Sequence, residues 1–567
     1  MKRLIVIPLL FIFSFVFGET YYLQDPAYDG AMGSTASDEN AGTVLTLPWA
    51  TWQYAWDNVS AGDTVFVRGG VFYTTDDISI NYLDGDRGDP IVFINYPGEI
   101  PIIDGVNKVT DSQGIYLTSC TNIYIKGIVV RNNPQITSIR EATGFYLYNC
   151  NNITLDSCVA HNNGVRGFHA QEPDTISFIN CDSYNNADSL STAPGNAGDG
   201  FLVYDSGGED DNIAYVTLYG CRAWHNSDDG YDLEIEGYVG IDRCWAINNG
   251  YLDEGDGTGI KIGLKDTWSD FLTRKVTNCI SAYNSGYGIT CNDKDTYPQH
   301  EEIYNNISYH NGYHVGSVTP YGFSVGKTVG TAAQELNRIF KNNISYDNED
   351  GNIFISSGAY YTHEYNSWDN PPDVTVTDGD FLSVDSAGLT GARTAWGGLP
   401  ILTFLHLDDD DLDGAGVNVG LTYDGDSLYH NTPPDLGAFA YDATEPEPPE
   451  YPQVTTTVTS TASIRVIATG TNIDDGGGTV SAKGICWNIS TNPDTGDNIV
   501  PAGSGTDDFS CTLIVPSNTT IYISAYVTNE TATTYGAVVQ IDTPLTSPVI
   551  DDSGNVVLDD SGNIIIE

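Results

Sequence analysis

Basic residues are scarce in this sequence. Of its 567 residues, 22 are Lys or Arg and 76 are Asp or Glu, which gives a formal net charge of −54 at pH 7. Nucleic acids and anionic membranes are bound by clustered Lys and Arg, so we expect neither as a partner. An anionic substrate would need local positive charge at its binding site, either from a metal ion or from the few basic residues.

Long apolar runs are also missing beyond the N-terminus. Met1-Lys2-Arg3 precedes an apolar run from Leu4 to Gly18, which is the pattern of a secretory signal peptide. A membrane anchor is the alternative, although the run is short for a transmembrane helix. The sequence therefore predicts a signal peptide at residues 1–18 and a soluble, secreted, extracellular monomer.

Spacing typical of a disulfide framework is missing as well, although ten cysteines are present. Cysteines of an exported protein usually form disulfides. Here several occupy one place in a repeat, five residues before an Asn, where Ile128, Asn306 and Asn343 also occur. Such a place favours a buried stack of thiols, with disulfides between neighbouring turns as the alternative. The cysteines at this place are Cys158, Cys181, Cys221, Cys244 and Cys279.

Little helical periodicity is present. An amphipathic pattern begins at Pro48 and continues through Trp49, Trp52 and Trp56, which predicts a short helix. The segment GDTVFVRGG then alternates as a strand. Because the open end of a solenoid needs a cap, we expect this helix to form an N-terminal cap.

Short apolar segments separated by Asn and Gly make up most of the chain. They recur with a minimum spacing of 23 residues, as between Asn163 and Asn186. Periods of this length indicate a solenoid, and short strands without intervening helices predict an all-β fold, a parallel β-helix. The Asn side chains are expected to stack along one bend. These residues are Asn133, Asn163, Asn186, Asn226, Asn249, Asn284, Asn311 and Asn348.

The same repeat separates inward from outward positions. In each unit a Gly precedes a large, mostly apolar residue, as in GYD at Gly230 and GIK at Gly259. That residue is expected to point inward and its successor outward, because side chains alternate along a strand. Asp232 and Lys261 then occupy equivalent outward positions on adjacent turns, about 5 Å apart.

Four acidic residues and one outward lysine collect at this place over three successive turns. Stacking of the turns brings them within roughly 10 Å of one another. Four carboxylates this close require a cation, and Ca²⁺ suits an irregular site of hard oxygen ligands. A solvated acidic face is the alternative. The predicted metal ligands are Asp199, Asp228, Asp229 and Asp232, and the lysine is Lys261.

Other charged groups are weaker candidates. Glu209–Asp211 lies in an insertion, and Asp408–Asp411 lies outside the repeat, where it binds a second calcium or nothing. His169 shares the outward column and is a candidate sugar contact. Plain surface charge is the alternative for the basic residues that are candidates for binding substrate carboxylates. These are Arg222, Arg243, Lys265, Arg274 and Lys275.

The C-terminal part of the chain changes composition. Residues 443–452, ATEPEPPEYP, form a Pro/Glu linker, so we place the β-helix domain at 19–442. Residues 453–545 alternate Thr, Val, Ile and Tyr, which predicts a small fibronectin-like β-sandwich, with a candidate disulfide between Cys486 and Cys511. Residues 546–567 repeat DDSGN.

The motifs GDGF, CRAWHNSDDGYDL, CWAINNG and GTGIKIG resemble those of family-nine polysaccharide lyases, calcium-dependent pectate lyases with a right-handed parallel β-helix. The starting segment TLPWATWQYAWDNVSAGDTVFVRGG and the closing segments LTGAR and PDLGAF are also similar, so the resemblance covers roughly residues 20–442. It implies that the four aspartates hold the catalytic calcium and that Lys261 is the base. Family members tend to have GFKLGG where this chain has GIKIGL at Gly259.

This resemblance implies β-elimination on polygalacturonate or pectate. Calcium would neutralise a uronate carboxylate and stabilise the charge that develops as the C5 proton leaves. Lys261, as the free amine, would take that proton, and the glycosidic oxygen at C4 would depart. Calcium lowers the pKa of Lys261 and Asp232 raises it, so we expect an alkaline optimum.

Three alternatives stay open. The first is a lyase that acts on another uronate, such as rhamnogalacturonan or alginate. The second is a β-helix glycoside hydrolase with Asp228 and Asp229 as acid and base, although no Gly-His-Gly motif occurs. The third is a β-helix that binds glycans without catalysis.

Overall fold

The computed structural model describes residues 18–28, 35–205, 214–235, 237–263, 273–291, 300–313, 321–326, 338–357, 359, 361–394, 397–408, 411–426, 430, 432–441, 453–462, 465–474, 480–489, 493, 498–515, 519–529 and 533–543. The predicted signal peptide up to residue 17, the linker at 443–452 and the tail at 546–567 lie outside these residues. The chain divides into two units, Met1–Tyr441 and Asp442–Glu567.

Three parallel sheets, called A, B and C here, form the first unit. Their strands alternate along the chain, so each turn of the chain adds one strand to each sheet. This arrangement is a parallel β-helix, which confirms the predicted fold class.

Sheet A has twelve strands. They are Thr20–Leu23, Thr64–Val67, Ile91–Asn95, Thr121–Lys126, Asn151–Asp156, Thr175–Ile179, Ala214–Tyr219, Gly237–Asp242, Thr273–Thr277, His300–Tyr304, Arg338–Lys341 and Tyr361–Glu364. Sheet B has ten strands. They are Gly70–Tyr73, Pro101–Asp104, Val129–Arg131, Val159–His161, Asp182–Tyr184, Arg222–Trp224, Trp245–Ile247, Ile280–Ala282, Ile307–Tyr309 and Ile344–Tyr346.

Sheet C also has ten strands. They are Ile78–Asn81, Ile115–Thr118, Phe145–Tyr148, Phe168–Gln171, Phe201–Tyr204, Tyr231–Glu234, Ile260–Lys261, Ile289–Thr290, Tyr321–Val325 and Gly351–Ile355. The first residue of several of these strands points into the core. The rings of Phe145, Phe168, Phe201 and Tyr231 are fully buried and stack with centroids 5.0, 4.8 and 5.0 Å apart. The predicted inward column is therefore confirmed.

A ladder of asparagines holds successive turns at one bend. Each side-chain amide donates from Nδ2 to Oδ1 of the next residue of the ladder, from Asn133 to Asn348, at 2.8 to 3.0 Å. The ladder also explains the glycine that follows. A Cβ at Gly200 would lie 2.6 Å from the carbonyl oxygen of Gly230 and 2.9 Å from Nδ2 of Asn226, so only glycine fits there.

The ten cysteines are buried free thiols. This confirms the predicted thiol stack and shows that the candidate disulfide between Cys486 and Cys511 was wrong. These two residues lie on strands of different sheets, Ala482–Asn488 and Phe509–Ile514. Their sulfurs instead donate to backbone carbonyls, of Ser524 at 3.3 Å and of Val500 at 3.5 Å respectively.

The N-terminal end carries the predicted helix, Trp52–Asn58. The hydroxyl of Thr51 accepts a hydrogen bond from the backbone N–H of Tyr54, which caps the helix. Trp52 and Trp56 stack on Phe93 with centroids 5.9 and 3.6 Å away, so the helix packs on the core. Among the described residues no helix is long or apolar enough to cross a membrane.

After the last strand of sheet A the chain packs against the outside of sheet B. Leu389, Leu405 and Phe439 form one buried apolar cluster with Trp245 and Ile280 of that sheet. A short 3-10 helix, Asp378–Asp380, lies in this segment. No described residue of sheet C belongs to this cluster.

Two antiparallel sheets make up the described part of the second unit. The three-stranded sheet contains Gln453–Ala462, Arg465–Asp474 and Phe509–Ile514. The five-stranded sheet contains Ala482–Asn488, Asn498–Gly503, Thr520–Thr528, Thr533–Tyr535 and Val539–Asp542. Val466, Leu513, Ile521 and Ile523 lie in the core that the strands share, as in a small sandwich.

Candidate active site

Strand pairing in sheet C sets the geometry of the site. Tyr231 pairs with Ile260 and Asp232 pairs with Lys261 on adjacent parallel strands. The side chains of Tyr231 and Ile260 are fully buried in the core, so Asp232 and Lys261 project from the outer face. The predicted outward column is confirmed at this point.

A second column lies just before the glycines that open the strands. The N–H of Gly167 donates to the carbonyl oxygen of Asp199 at 3.1 Å, and the N–H of Gly200 donates to that of Asp229 at 2.9 Å. The residue before the glycine is thus stacked from turn to turn. Asp199 and Asp229 occupy equivalent places on consecutive turns, beside the outward column.

Three of the four predicted metal ligands form a compact group. One carboxylate oxygen from each of Asp199, Asp229 and Asp232 lies within 4.8 Å of the others. Asp228 does not belong to this group. Its Oδ1 accepts a hydrogen bond from the backbone N–H of Asp256 at 2.8 Å, which holds the loop before the strand Ile260–Lys261.

Two oxygens of the group fit a metal ion. Oδ1 of Asp199 and Oδ1 of Asp232 are buried without a hydrogen-bond partner. A buried carboxylate oxygen without a partner is costly, and a cation would satisfy both oxygens. Carboxylate oxygens are the ligands that Ca²⁺ prefers, so the donor set fits calcium.

The electrostatics of these carboxyls support the same interpretation. Burial raises the pKa of Asp199 to about 6, and the nearby Asp229 adds to the rise while Arg166 opposes it. Burial raises the pKa of both Asp229 and Asp232 to about 7, although Lys261 opposes each rise. Burial and the charge of Asp229 also raise the pKa of Asp228 well above its ordinary value. The site therefore carries more negative charge than its own lysine can neutralise.

Lys261 contacts the acids directly. Its Nζ lies 3.1 Å from Oδ2 of Asp229, 3.4 Å from Oδ2 of Asp232 and 3.4 Å from Oδ2 of Asp256. Burial lowers the pKa of Lys261, but the charges of these carboxylates raise it well above its ordinary value. Arg274 supports the strand end, since its Nη1 donates to the carbonyl oxygens of Ile262 and Gly263 at 2.9 and 2.7 Å.

Two residues at the site escaped the interpretation of the sequence. Asp256, with 58% of its side chain exposed, pairs with Lys261 from the preceding loop. Arg166 contacts Asp199, with its Nε 3.4 Å from Oδ2. A signal for Arg166 was available, because it precedes Gly167 as Asp199 precedes Gly200. Asp256 lies outside the repeat and offered no such signal.

The weaker candidates lie away from the acids or have structural partners. Arg222 is buried and forms a forked ion pair with Asp182 at 2.9 and 2.7 Å. Arg243 donates to the hydroxyl of Tyr219 at 2.6 Å, and Lys275 pairs with a glutamate, Glu302, at 2.6 Å. His169 stacks on Tyr146 with centroids 4.6 Å apart. Lys265, the run Glu209–Asp211 and the middle of Asp408–Asp411 lie outside the described residues.

Comparisons with known proteins match the β-helix unit. A family model described as "Pel9A-like, right handed beta helix region" matches residues 31–366. The chain is 28% identical over 464 residues to pectate lyase PEL9 of Emericella nidulans, which covers 70% of this chain and 95% of that protein. It is 30% identical over 268 residues to pectate lyase L of Dickeya dadantii, across 46% of this chain and 55% of that protein.

Solved structures give the same fold. The crystal structure of pectate lyase Pel9A has a TM-score of 0.58 at 24% identity, and covers 75% of this chain and 97% of its own. A rhamnogalacturonan lyase has a TM-score of 0.55 at 26% identity, and covers 69% of this chain and 97% of its own. The names of these two proteins state different substrates, although their structures share one architecture.

Proposed function

The chain belongs to the Pel9A-like right-handed β-helix family and is a polysaccharide lyase, as its relatives are. On that premise, we propose that it cleaves polygalacturonate or pectate by β-elimination. One observation carries this proposal. Nζ of Lys261 lies 3.1 Å from Asp229 and 3.4 Å from Asp232, within a group of carboxylates that fits a cation. Removal of a proton next to a carboxylate needs such a pairing of base and cation.

Calcium is the proposed cofactor. Asp199, Asp229 and Asp232 would hold it. Asp228, on the turn of Asp229, lies outside this compact group, and its side chain would have to move for it to become a fourth ligand. Bound there, calcium supplies positive charge that neutralises the uronate carboxylate and stabilises the enolate-like charge of the reaction. The oxygens of Asp199 and Asp232 that have no partner support this assignment.

Lys261 is the proposed base. As the free amine, Nζ accepts the C5 proton, and the electron pair of the C5–H bond forms the C4–C5 double bond. The bond from C4 to the glycosidic oxygen breaks, and that oxygen leaves with its electron pair and takes a proton from solvent water. Asp229, Asp232 and Asp256 raise the pKa of Lys261. The first two are also proposed metal ligands, so neutralising them with calcium favours the free amine. We expect an alkaline optimum.

An acidic polysaccharide outside the cell is the proposed substrate. The signal-like N-terminal sequence supports this location. Rhamnogalacturonan is the second candidate substrate, because the structure of a rhamnogalacturonan lyase matches at 26% identity. Both polymers contain uronates, so the same base and cation would serve either one.

The test separates reaction type from substrate. The protein is incubated with polygalacturonate, rhamnogalacturonan or alginate, with calcium or with chelator, and ultraviolet absorbance and reducing ends are both followed. We expect absorbance from an unsaturated product on polygalacturonate, in calcium only. Reducing ends without absorbance would mean a hydrolase, and neither signal on any polymer would mean a binding protein. Absorbance on rhamnogalacturonan alone would select the second substrate.

A further inference from the structure

Arg166 continues the column of aspartates by one turn. The N–H of Gly144 donates to the carbonyl oxygen of Arg166 at 3.0 Å, as the N–H of Gly167 does to that of Asp199. Arg166 therefore occupies the place on its turn that Asp199 and Asp229 occupy on the next two turns. Within the described part of the chain, Arg166 and Lys261 are the cations in contact with the acid group.

The hydrogen bonding of Arg166 differs from that of a purely structural arginine. Arg222 uses its fork on Asp182 at 2.9 and 2.7 Å and gives Nη1 to backbone carbonyls. Arg166 makes one long contact, from Nε to Asp199 at 3.4 Å, and Nη1 donates to the carbonyl oxygen of Arg140 at 3.2 Å. Its Nη2 makes no hydrogen bond to any described residue and is not fully buried.

This guanidinium is held in place while one nitrogen stays available. Its side chain is 13% exposed, so little conformational freedom remains to be lost when a ligand binds. Arginine is suited to carboxylates because its fork matches their geometry. The chain has a net charge of −54 and few basic residues, so an arginine beside a site for an anionic substrate is one of its few sources of positive charge.

The surface beyond Arg166 is continuous with the site. The outward column of sheet C continues from Asp232 through Leu202 and His169 to Tyr146 and Tyr116. The rings of Tyr116 and Tyr146 stack at 4.9 Å, and those of Tyr146 and His169 at 4.6 Å. An extended polymer can follow this row without meeting another carboxylate of the column.

We propose that Arg166 binds the carboxylate of the uronate unit next to the one at the acid group, on the side away from Lys261. This inference rests on the proposed function, because it takes the polymer to lie along the outward column. Adjacent turns are about 4.8 Å apart, so a polymer with a carboxylate on each unit presents one to Arg166 as it leaves the acids. A methyl ester at this unit would lose the ion pair, so Arg166 selects an unesterified neighbour.

The test measures binding without turnover. In a Lys261→Ala background with saturating calcium, an oligogalacturonate is titrated by calorimetry into the parent and into variants that also carry Arg166→Gln, Arg166→Lys or Arg131→Gln. A hydrogen bond to a charged group contributes about 1.5–3 kcal/mol, so Arg166→Gln should raise Kd about 10- to 100-fold. Arg166→Lys should retain part of the affinity, because it keeps the charge without the fork.

Arg131→Gln is the matched control. Arg131 lies on sheet B and pairs with Asp104 at 2.7 Å, so the variant loses an arginine from an aspartate pair away from the site. Its Kd should equal that of the parent.

A second ligand separates binding from structural support. For an oligomer that is methyl-esterified only at the unit next to the one at the acid group, the parent and Arg166→Gln should have equal Kd values. The same loss for both ligands would mean that Arg166 only supports Asp199, and it would overturn the proposal. Equal Kd values for the unesterified oligomer, or no binding by the parent, would overturn it as well. Failure of the proposed function is a separate result, namely no unsaturated product from the wild type on any uronate.

Discussion

Replacement of Asp232 by Asn should stabilise the protein in the absence of calcium. When calcium is present, this gain in stability should disappear or become a loss relative to the wild type. Asp232 is buried, its Oδ1 has no partner, and burial raises its pKa from 3.8 to about 7. A raised carboxyl pKa means that the ionised form destabilises the folded state, by about 4 kcal/mol for a shift of this size. The penalty is absent below the unfolded pKa and is complete above the folded one, so it applies fully at pH 8.

Without calcium, Asp232→Asn should therefore be more stable than the wild type at pH 8. The new amide leaves a buried donor unsatisfied, at a cost of about 1–3 kcal/mol, so the net gain should be about 1–3 kcal/mol. With calcium at 100 times its Kd, the wild type should gain about 2.7 kcal/mol and the variant much less. Thermal unfolding in chelator and in calcium gives the two Tm differences. A variant that is less stable in both solutions would refute this account of the site.

Three further predictions concern the fold and pH. Asn226→Ala removes a ladder residue whose side chain forms hydrogen bonds with Asn186 and Asn249. Because buried groups then lose their partners, the free energy of unfolding, measured by denaturant titration, should fall by about 3–5 kcal/mol. The control Asn196→Ala, at an exposed position, should change it little. Both nitrogens of His406 face oxygens, and Asp426 raises the pKa of His406 against the effect of burial. Stability from His406 should thus be complete below pH 6.5 and be lost as pH rises through the raised pKa, and the Tm difference between wild type and His406→Gln should shrink over that range. Chelator alone should lower the Tm of the wild type more at pH 8 than at pH 5, because the acids of the site ionise over this range.

The periodic part of the structure could be predicted from the sequence because the residues of each repeat unit fit only one backbone arrangement. Gly200 must lack a Cβ since the next turn and Asn226 come too close. The alternation from that glycine then decides which side chains point outward. The pairing of Asp232 with Lys261 could be predicted for this reason, although they are 29 residues apart in the chain.

Residues outside the repeat could not be placed in this way. Asp256 reaches Lys261 from a loop whose course depends on tertiary contacts, among them the bond from its backbone to Asp228. That same bond engages Oδ1 of Asp228, which lies outside the compact group of the other three acids, and spacing alone did not reveal this. A disulfide between Cys486 and Cys511 was predicted because both residues lie in the same domain, but the strands that carry them belong to different sheets.

Lys261 is proposed to remove the proton beside a calcium site. The most direct test of this role is the rate of ultraviolet absorbance increase on polygalacturonate, in saturating calcium, for the wild type and Lys261→Gln. The loss of a general base costs about 10²- to 10⁴-fold in rate, so Lys261→Gln should lose at least this much while calcium still raises its Tm. A variant that binds calcium and keeps the rate of the wild type would contradict the assignment of Lys261 as the base.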